Sequence, residues 1–190
     1  SAMPERVIGI WENGHAHQSD IRVRGNTVIS AAPGDVLIND RTGFRITSHS
    51  SDSSLVSYRN NVSQGLNIGF RWLDGSVPAS VQRLEAHGNT VVANATGFQM
   101  PGSGSNGAGV DLQWNRIAGN GIGIADGAGL VEISAERNWW GCSAGPGQPG
   151  CDALLNEATP AEWLVATLAP QPLIVSPPAN VPVAFDVRRS

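Results

Sequence analysis

Three carboxylates lie in short runs that alternate apolar and polar residues, the pattern of a strand with one buried face. They are Glu85, Asp111 and Glu132, and alternation predicts that they occupy matching outward positions of successive strands. Paired carboxylates hydrolyse glycosides when one protonates the leaving group and the other activates water. With Arg116, these residues form a predicted polar outer face. It is either an ordinary solvated surface or an acidic groove that binds a sugar or Ca²⁺.

The composition excludes several other kinds of chemistry. All 12 basic residues are Arg, so Schiff-base lysines, lysine general bases and phosphate-binding loops with lysine are excluded. A net charge of −4 with scattered arginines provides no basic face, so no nucleic-acid partner is expected. No apolar run approaches the length of a membrane span, so no membrane insertion is expected either.

Histidines provide a weaker candidate site near the start of the chain. His15 and His17 share one side of a strand and are close in sequence to Glu12 and Asp20, a set that can hold a metal ion. His-x-His is also common by chance. We predict no metal and no cofactor.

The two cysteines, Cys142 and Cys151, enclose eight residues, five of them Gly or Pro. Such a loop can bring two Cα atoms within disulfide distance. The alternative is a pair of metal thiolates, but zinc requires four ligands and no histidine is nearby. We expect a disulfide, which would indicate an oxidising compartment.

An asparagine recurs after most of the alternating runs, and this repeat predicts the fold. The anchoring residues are separated by 35, 28, 26 and 23 positions: Asn26, Asn61, Asn89, Asn115 and Asn138. Repeats of this size are typical of a solenoid whose short strands stack into parallel sheets. We expect the asparagines to hydrogen-bond from coil to coil as a ladder. The alternative is that Gly-Asn pairs mark hairpin turns of an antiparallel sandwich.

Near the end, Asn138-Trp139-Trp140-Gly141-Cys142, a Gly-Pro-rich loop and Glu162-Trp163-Leu164-Val165 follow one another. This segment resembles the closing segment of bacterial surface proteins of the right-handed parallel β-helix class, in the pectin-lyase-like superfamily. The family usually has proline where this chain has Glu162. The resemblance covers roughly residues 20–170 and implies a fold and an extracellular setting more firmly than an activity.

Many proteins of this class act on polysaccharides, so the resemblance also implies residues to look for. Its lyases use Lys or Arg as base with clustered carboxylates on Ca²⁺, and its hydrolases have adjacent aspartates, a His-Gly and an Arg-x-Lys. Here His87-Gly88 is present, but no two aspartates are adjacent and lysine is absent. We interpret His87 as a strand-end residue.

We therefore predict an all-β fold, a right-handed parallel β-helix with a C-terminal cap and a short trailing β segment. The coils are expected at residues 4–141, the disulfide loop and cap at 142–170, and a linker or the first strands of a truncated immunoglobulin-like module at 171–190. One or two helical turns are expected within residues 152–160. Val183–Val187 is expected to hydrogen-bond as a strand along the coils or on a neighbouring chain.

Three tryptophans lie where the predicted coils end and the cap follows: Trp139, Trp140 and Trp163. A solenoid needs a cap because its last coil would otherwise expose core and unpaired backbone groups. We interpret these residues as end-packing. The alternative is an aromatic platform for sugar.

The predicted function is that of a non-catalytic extracellular segment of a larger bacterial surface or secreted protein. It would serve as a stalk or as a surface that binds glycans or another protein. Expected partners are a polysaccharide or surface protein, the remainder of its own polypeptide, and a second copy stacked end to end. The alternative is a carbohydrate-active enzyme, a polysaccharide lyase or glycoside hydrolase.

Overall fold

The chain is all-β. A computed structural model describes residues 6–14, 21–30, 40–48, 55–74, 83–100, 109–126, 132–155, 160–170 and 183–189, which contain seventeen strands and no helix. The strands are β1 (Arg6–Gly14), β2 (Ile21–Arg24), β3 (Thr27–Ile29), β4 (Asp40–Ser48), β5 (Leu55–Arg59), β6 (Val62–Gln64), β7 (Ile68–Asp74), β8 (Arg83–His87), β9 (Thr90–Val92), β10 (Thr96–Met100), β11 (Gly109–Gln113), β12 (Arg116–Ala118), β13 (Ile122–Asp126), β14 (Glu132–Ser134), β15 (Leu154–Leu155), β16 (Leu164–Pro170) and β17 (Val183–Arg189).

Three sheets are wholly parallel. Sheet 1 has the order β1-β4-β7-β10-β13-β15, sheet 2 the order β14-β11-β8-β5-β2, and sheet 3 the order β12-β9-β6-β3. Within the repeat, the chain thus visits each sheet in turn before it returns to the first. The Gly-Asn pairs do not form hairpins, because the strands that flank Asn26 belong to sheets 2 and 3. The antiparallel sandwich is therefore wrong.

The core is a column of aromatic rings between the sheets. Phe44, Phe70 and Phe98 occupy equivalent positions of neighbouring strands, with ring centroids 4.5 and 5.0 Å apart. Tyr58 packs edge-on against the first two rings. Such stacked and edge-to-face pairs add about 0.5–1.5 kcal/mol each beyond the area they bury.

In sheet 1 a glycine precedes each of these phenylalanines, because the backbones of neighbouring strands approach closely at that position. A Cβ built on Gly97 would lie 2.5 Å from the carbonyl oxygen of Gly123 on the next strand. The repeated Gly-Phe pairs of the sequence are explained by this close approach.

The C-terminal strands differ from two expectations. Val183–Val187 does hydrogen-bond as a strand, but its partner is β16, in antiparallel register, and neither the coils nor another chain. Leu154 and Leu155 pair with β13 at the edge of sheet 1, so a helical turn over these two residues is wrong. As a strand, these residues hydrogen-bond to the backbone of β13 at that edge, whereas a helix would use the same backbone groups for its own hydrogen bonds. The short run Leu173–Val175 lies outside the described residues.

Candidate functional site

The repeated asparagines are joined by hydrogen bonds along one edge of the sheets. Each backbone N–H donates to Oδ1 of the next asparagine at 2.8–2.9 Å. Each Nδ2 donates to the same oxygen at 3.0–3.2 Å. At the end, Asn138 Nδ2 donates to the carbonyls of Leu112 and Ala135, both at 2.7 Å. We call Asn26, Asn61, Asn89, Asn115 and Asn138 the first ladder.

A second ladder, missed by the sequence analysis, follows five residues later in the chain. The backbone N–H of Leu66 donates to Asn94 Oδ1 at 3.0 Å, and that of Asn94 to Asn120 Oδ1 at 3.0 Å. The last member is Asp152, whose Oδ2 accepts from Asn120 Nδ2 at 2.6 Å. The constant offset of Asn94 from Asn89 and of Asn120 from Asn115 was the available signal.

Asp152 is the one acidic member of the two ladders. Burial raises the pKa of its carboxyl, while hydrogen bonds from the Asn120 side chain and backbone and from the Gly119 backbone lower it in part. A carboxylate can occupy the last position of the ladder because the side chain there only accepts hydrogen bonds, as it does from Asn120, and passes none on.

The residue before each asparagine of the first ladder has a left-handed backbone. The φ angles are 67° at Gly25, 55° at Asn60, 67° at Gly88, 60° at Trp114 and 61° at Arg137. Gly and Asn adopt this conformation at little cost. Trp and Arg do not, so Trp114 and Arg137 store strain of about 1–3 kcal/mol each. We call these five positive-φ positions the corners of the first ladder, the first three early and the last two late.

Trp114, one of the two late corners, borders a groove of about 530 Å³. Its floor is β12, which contributes Arg116 and Ala118, and it continues through Trp139, bridged to Arg116 in parallel. Trp114 stands at one end and is 44% exposed. The opposite wall is formed by Leu164 and Ala166 of β16. We call this site the tryptophan groove.

Charged groups fix the exposed indole at the end of the groove. The guanidinium carbons of Arg137 and Arg189 lie 5.7 and 5.4 Å from the centroid of the Trp114 ring, within cation–π range. Both arginines reach Glu162 Oε2, Arg137 through Nε at 3.1 Å and Arg189 through Nη1 at 3.9 Å. Glu162 thus orients the cations around Trp114.

The structure brings together only part of the predicted polar face. Asp111 is opposite Glu85 in sheet 2, but its other neighbour is Ser134, and Glu132 lies opposite Gly109. The expected common row is therefore wrong for Glu132. Counting back from the ladder predicts this, since Glu85, Asp111 and Ser134 each precede their asparagine by four residues and Glu132 precedes it by six.

Arg116 is not on that face at all, because it belongs to β12 of sheet 3. It lines the tryptophan groove instead. The four residues predicted to form one binding surface therefore occupy two sheets, with Glu132 out of register.

Two carboxylates of sheet 2 lie beside basic side chains. Glu85 pairs with Arg59 at 3.3 Å and with Arg83 at 3.4 Å. Asp111 Oδ2 lies 3.2 Å from Nε2 of His87, which is half-buried in this pair. Asp111 and Arg83 also line a shallow depression of about 280 Å³. Glu85 and Asp111 therefore each have a basic neighbour on this face.

The C-terminal closure contains the disulfide. Cys142 and Cys151 are bonded, with their Cα atoms 5.1 Å apart. Trp140 is fully buried, and Trp163 Nε1 donates to the carbonyl of Ser143 at 3.1 Å. Trp140 and Trp163 are thus end-packing residues, whereas Trp139 is partly exposed and lines the groove.

Within the described part of the chain, no cluster of three or more His, Cys, Asp or Glu has the arrangement of a metal site. His15, His17 and Asp20, from the candidate metal set, lie outside the described residues. Over the same residues, no helix has the length and apolar character that a membrane crossing requires.

Comparisons with known proteins give no relatives: no protein-family model, curated protein or solved structure matches this chain.

Proposed function

We propose that the three parallel sheets are the faces of a right-handed parallel β-helix, and that the chain is a non-catalytic extracellular segment of a larger bacterial surface or secreted protein. It acts as a stalk that also carries a binding surface for a glycan or another protein. The Asn138-Trp139-Trp140-Gly141 block supports the link to bacterial surface proteins of the pectin-lyase-like superfamily. The Cys142–Cys151 disulfide supports an oxidising, extracellular setting.

The observation that carries the proposal is the pair of ladders. A buried polar network in which each member hydrogen-bonds the next couples every turn to its neighbours. The first ladder runs between sheets 2 and 3 and the second between sheets 3 and 1, and the second ends on Asp152, beside the disulfide. A rigid body whose turns are joined in series suits a protein that holds a surface away from its anchor.

The carboxylates of sheet 2 support a non-catalytic role. An acid–base pair on this face would have to exchange protons with substrate, but Glu85 is held by two arginines and Asp111 by His87. These pairs suit a solvated structural face.

An enzyme remains the second candidate, because one observation favours it. Glu85 and Asp111 are opposite each other on neighbouring strands, and Asp111 lines the shallow depression of sheet 2. Neighbouring strands lie about 4.8 Å apart, close to the carboxyl separation of retaining glycosidases.

One experiment tests both candidates. The purified chain is incubated with pectin, alginate and xylan, products are followed as reducing ends and unsaturated sugars, and binding is screened on a glycan array. The proposal predicts binding to at least one glycan and no product. Product formation that Asp111→Asn abolishes would establish the enzyme instead, with Arg24→Gln, an exposed residue of sheet 2 outside the depression, as the control.

A further inference from the structure

We infer that the tryptophan groove is a sugar-binding site whose ligand is a pyranose with an anionic substituent, a carboxylate or a sulfate. This inference rests on the proposed binding role and assigns it to one site. The site is distinct from the polar face that the sequence predicted.

The aromatic surface of the groove suits the apolar face of a sugar ring. Trp114 is 44% exposed at one end, and Trp139 lines the floor beside Arg116. Binding sites for small ligands combine such aromatic walls with a few placed polar groups. Both indoles project from ordered elements, so little side-chain entropy is lost on binding.

The backbone at Trp114 indicates a role other than folding. The equivalent corners in the earlier turns hold Gly25, Asn60 and Gly88, which tolerate positive φ. A bulky aromatic residue there is strained, and it leaves nearly half of its side-chain surface in solvent. The exposed part of the indole recovers no burial energy, and the cation–π contacts with Arg137 and Arg189, which are weak at an exposed site, offset only part of the strain.

The charge of the groove favours an anion. Arg116 is exposed on its floor and has no ion pair among the described residues, whereas Arg137 and Arg189 both contact Glu162. Two arginines thus share one glutamate while Arg116 stays uncompensated among the described residues, in a chain whose net charge is −4. The planar fork of Arg116 can donate two hydrogen bonds to a carboxylate or sulfate.

The walls favour a sugar over an extended peptide. The small residues Ala118, Gly141 and Ala166 leave room for a ring. On β16, both the N–H and the carbonyl of Ala166 are bonded to Ser143 Oγ at 3.1 Å. The Leu164 N–H donates to Asn138. These backbone groups are therefore engaged and cannot pair with an added strand.

Calorimetric and NMR titrations with three matched probes test the site: methyl β-D-glucuronide, glucose 6-sulfate and the neutral methyl β-D-glucoside. The wild-type chain should bind one or both anionic probes, with a Kd of about 1 mM, at least about tenfold more tightly than the neutral probe. The first two probes distinguish carboxylate from sulfate. Equal affinity for all three, or no binding to either anionic probe, would overturn the inference.

Variants locate the binding. Arg116→Gln should weaken anion binding about tenfold and leave the affinity for the neutral probe unchanged. Trp114→Asn, which copies Asn60, should abolish binding while the chain remains folded. Arg83→Gln removes an arginine from sheet 2 and should change nothing.

Retained affinity in both Arg116→Gln and Trp114→Asn would overturn the groove as the site. It would leave the proposed stalk standing, because glycan-array binding would then have to arise elsewhere on the molecule. Failure of array binding in the wild-type chain would instead remove the binding role itself.

Discussion

The corner before each asparagine of the first ladder has the same backbone conformation in all five turns, but its side chain changes along the chain. The early corners hold Gly25, Asn60 and Gly88, and the late corners hold Trp114 and Arg137. All five φ angles lie between 55° and 67°. The early corners thus meet the backbone requirement with residues that tolerate it, and the late corners with residues that do not.

The difference separates what the fold needs from what a site uses. Inside the corner, an asparagine recurs in every turn and is buried in the last four, because it pairs backbone and side-chain groups that would otherwise lack partners. Outside the corner, the strained Trp114 borders the tryptophan groove, and the strained Arg137 contacts its ring. Departures from local backbone preference concentrate at functional sites, and the late corners fit that rule.

The largest effect is expected inside the corner. Asn115→Ala removes the acceptor of Asn89 and the donor to Ala86 and Asn138, leaving several buried groups unpaired. We expect the free energy of unfolding in urea to fall by about 4 kcal/mol. Gln113→Ala, on the outer face, should cost less than about 0.5 kcal/mol. A comparable loss of unfolding free energy in both variants would mean that the ladder stabilises the fold no more than a residue of the outer face does.

A late residue placed in an early corner should destabilise the chain. In Gly88→Trp the new Cβ lies 2.6 Å from Asn60 Oδ1, at a φ of 67°, so we expect a loss of about 2 kcal/mol by chemical denaturation. Gly88→Asn brings the same Cβ beside Asn60 but tolerates the φ, so it is the matched control for backbone strain and should lose about 1 kcal/mol less than Gly88→Trp. Equal stability of Gly88→Trp and wild type would refute the claim that the late corners are strained.

A smaller effect concerns pH and the acidic end of the second ladder. Burial raises the pKa of Asp152 above its ordinary value of 3.8, so the folded chain binds this proton more tightly than the unfolded chain. Its contribution to stability is present below that ordinary value and is lost as pH rises through the folded pKa.

The free energy of unfolding of wild type minus that of Asp152→Asn should therefore fall as the pH rises above the ordinary carboxyl pKa of 3.8. Urea titrations across this range measure it, and subtracting the variant removes the other carboxylates. A difference that rises with pH would show that hydrogen bonds from Asn120 outweigh burial.

The smallest effect is expected at the other late corner. Arg137→Asn relieves the positive φ but loses the partly exposed pair with Glu162, and these changes offset each other. Stability should change by less than about 1 kcal/mol in thermal and urea unfolding. A loss above about 2 kcal/mol would make Arg137 a structural residue.

The parts of the structure that repeat could be predicted from the sequence. The spacing of Asn26 through Asn138 predicts parallel strands joined at one corner, because the same backbone need recurs in each turn. The register of Glu132 and the second ladder were also readable, by counting from those asparagines, but alternation alone misplaces Glu132.

The tryptophan groove could not be predicted in the same way. A positive φ at Trp114 is a property of the backbone that no residue type signals, since tryptophan rarely adopts it. The pairing of β16 with β17, which positions Arg189 near Trp114, depends on a long-range contact across the predicted boundary at residue 170. Non-repeating contacts leave no period in the sequence.

The central claim is that Trp114 serves binding at the expense of stability. Urea unfolding of wild type and Trp114→Asn, each with and without the anionic glycoside that binds best, tests it most directly. The variant should be about 1 kcal/mol more stable than wild type without ligand. Saturating ligand should stabilise wild type only, as linkage requires of a ligand that binds the folded state. A variant that is less stable without ligand, or equally stabilised by it, would contradict the account.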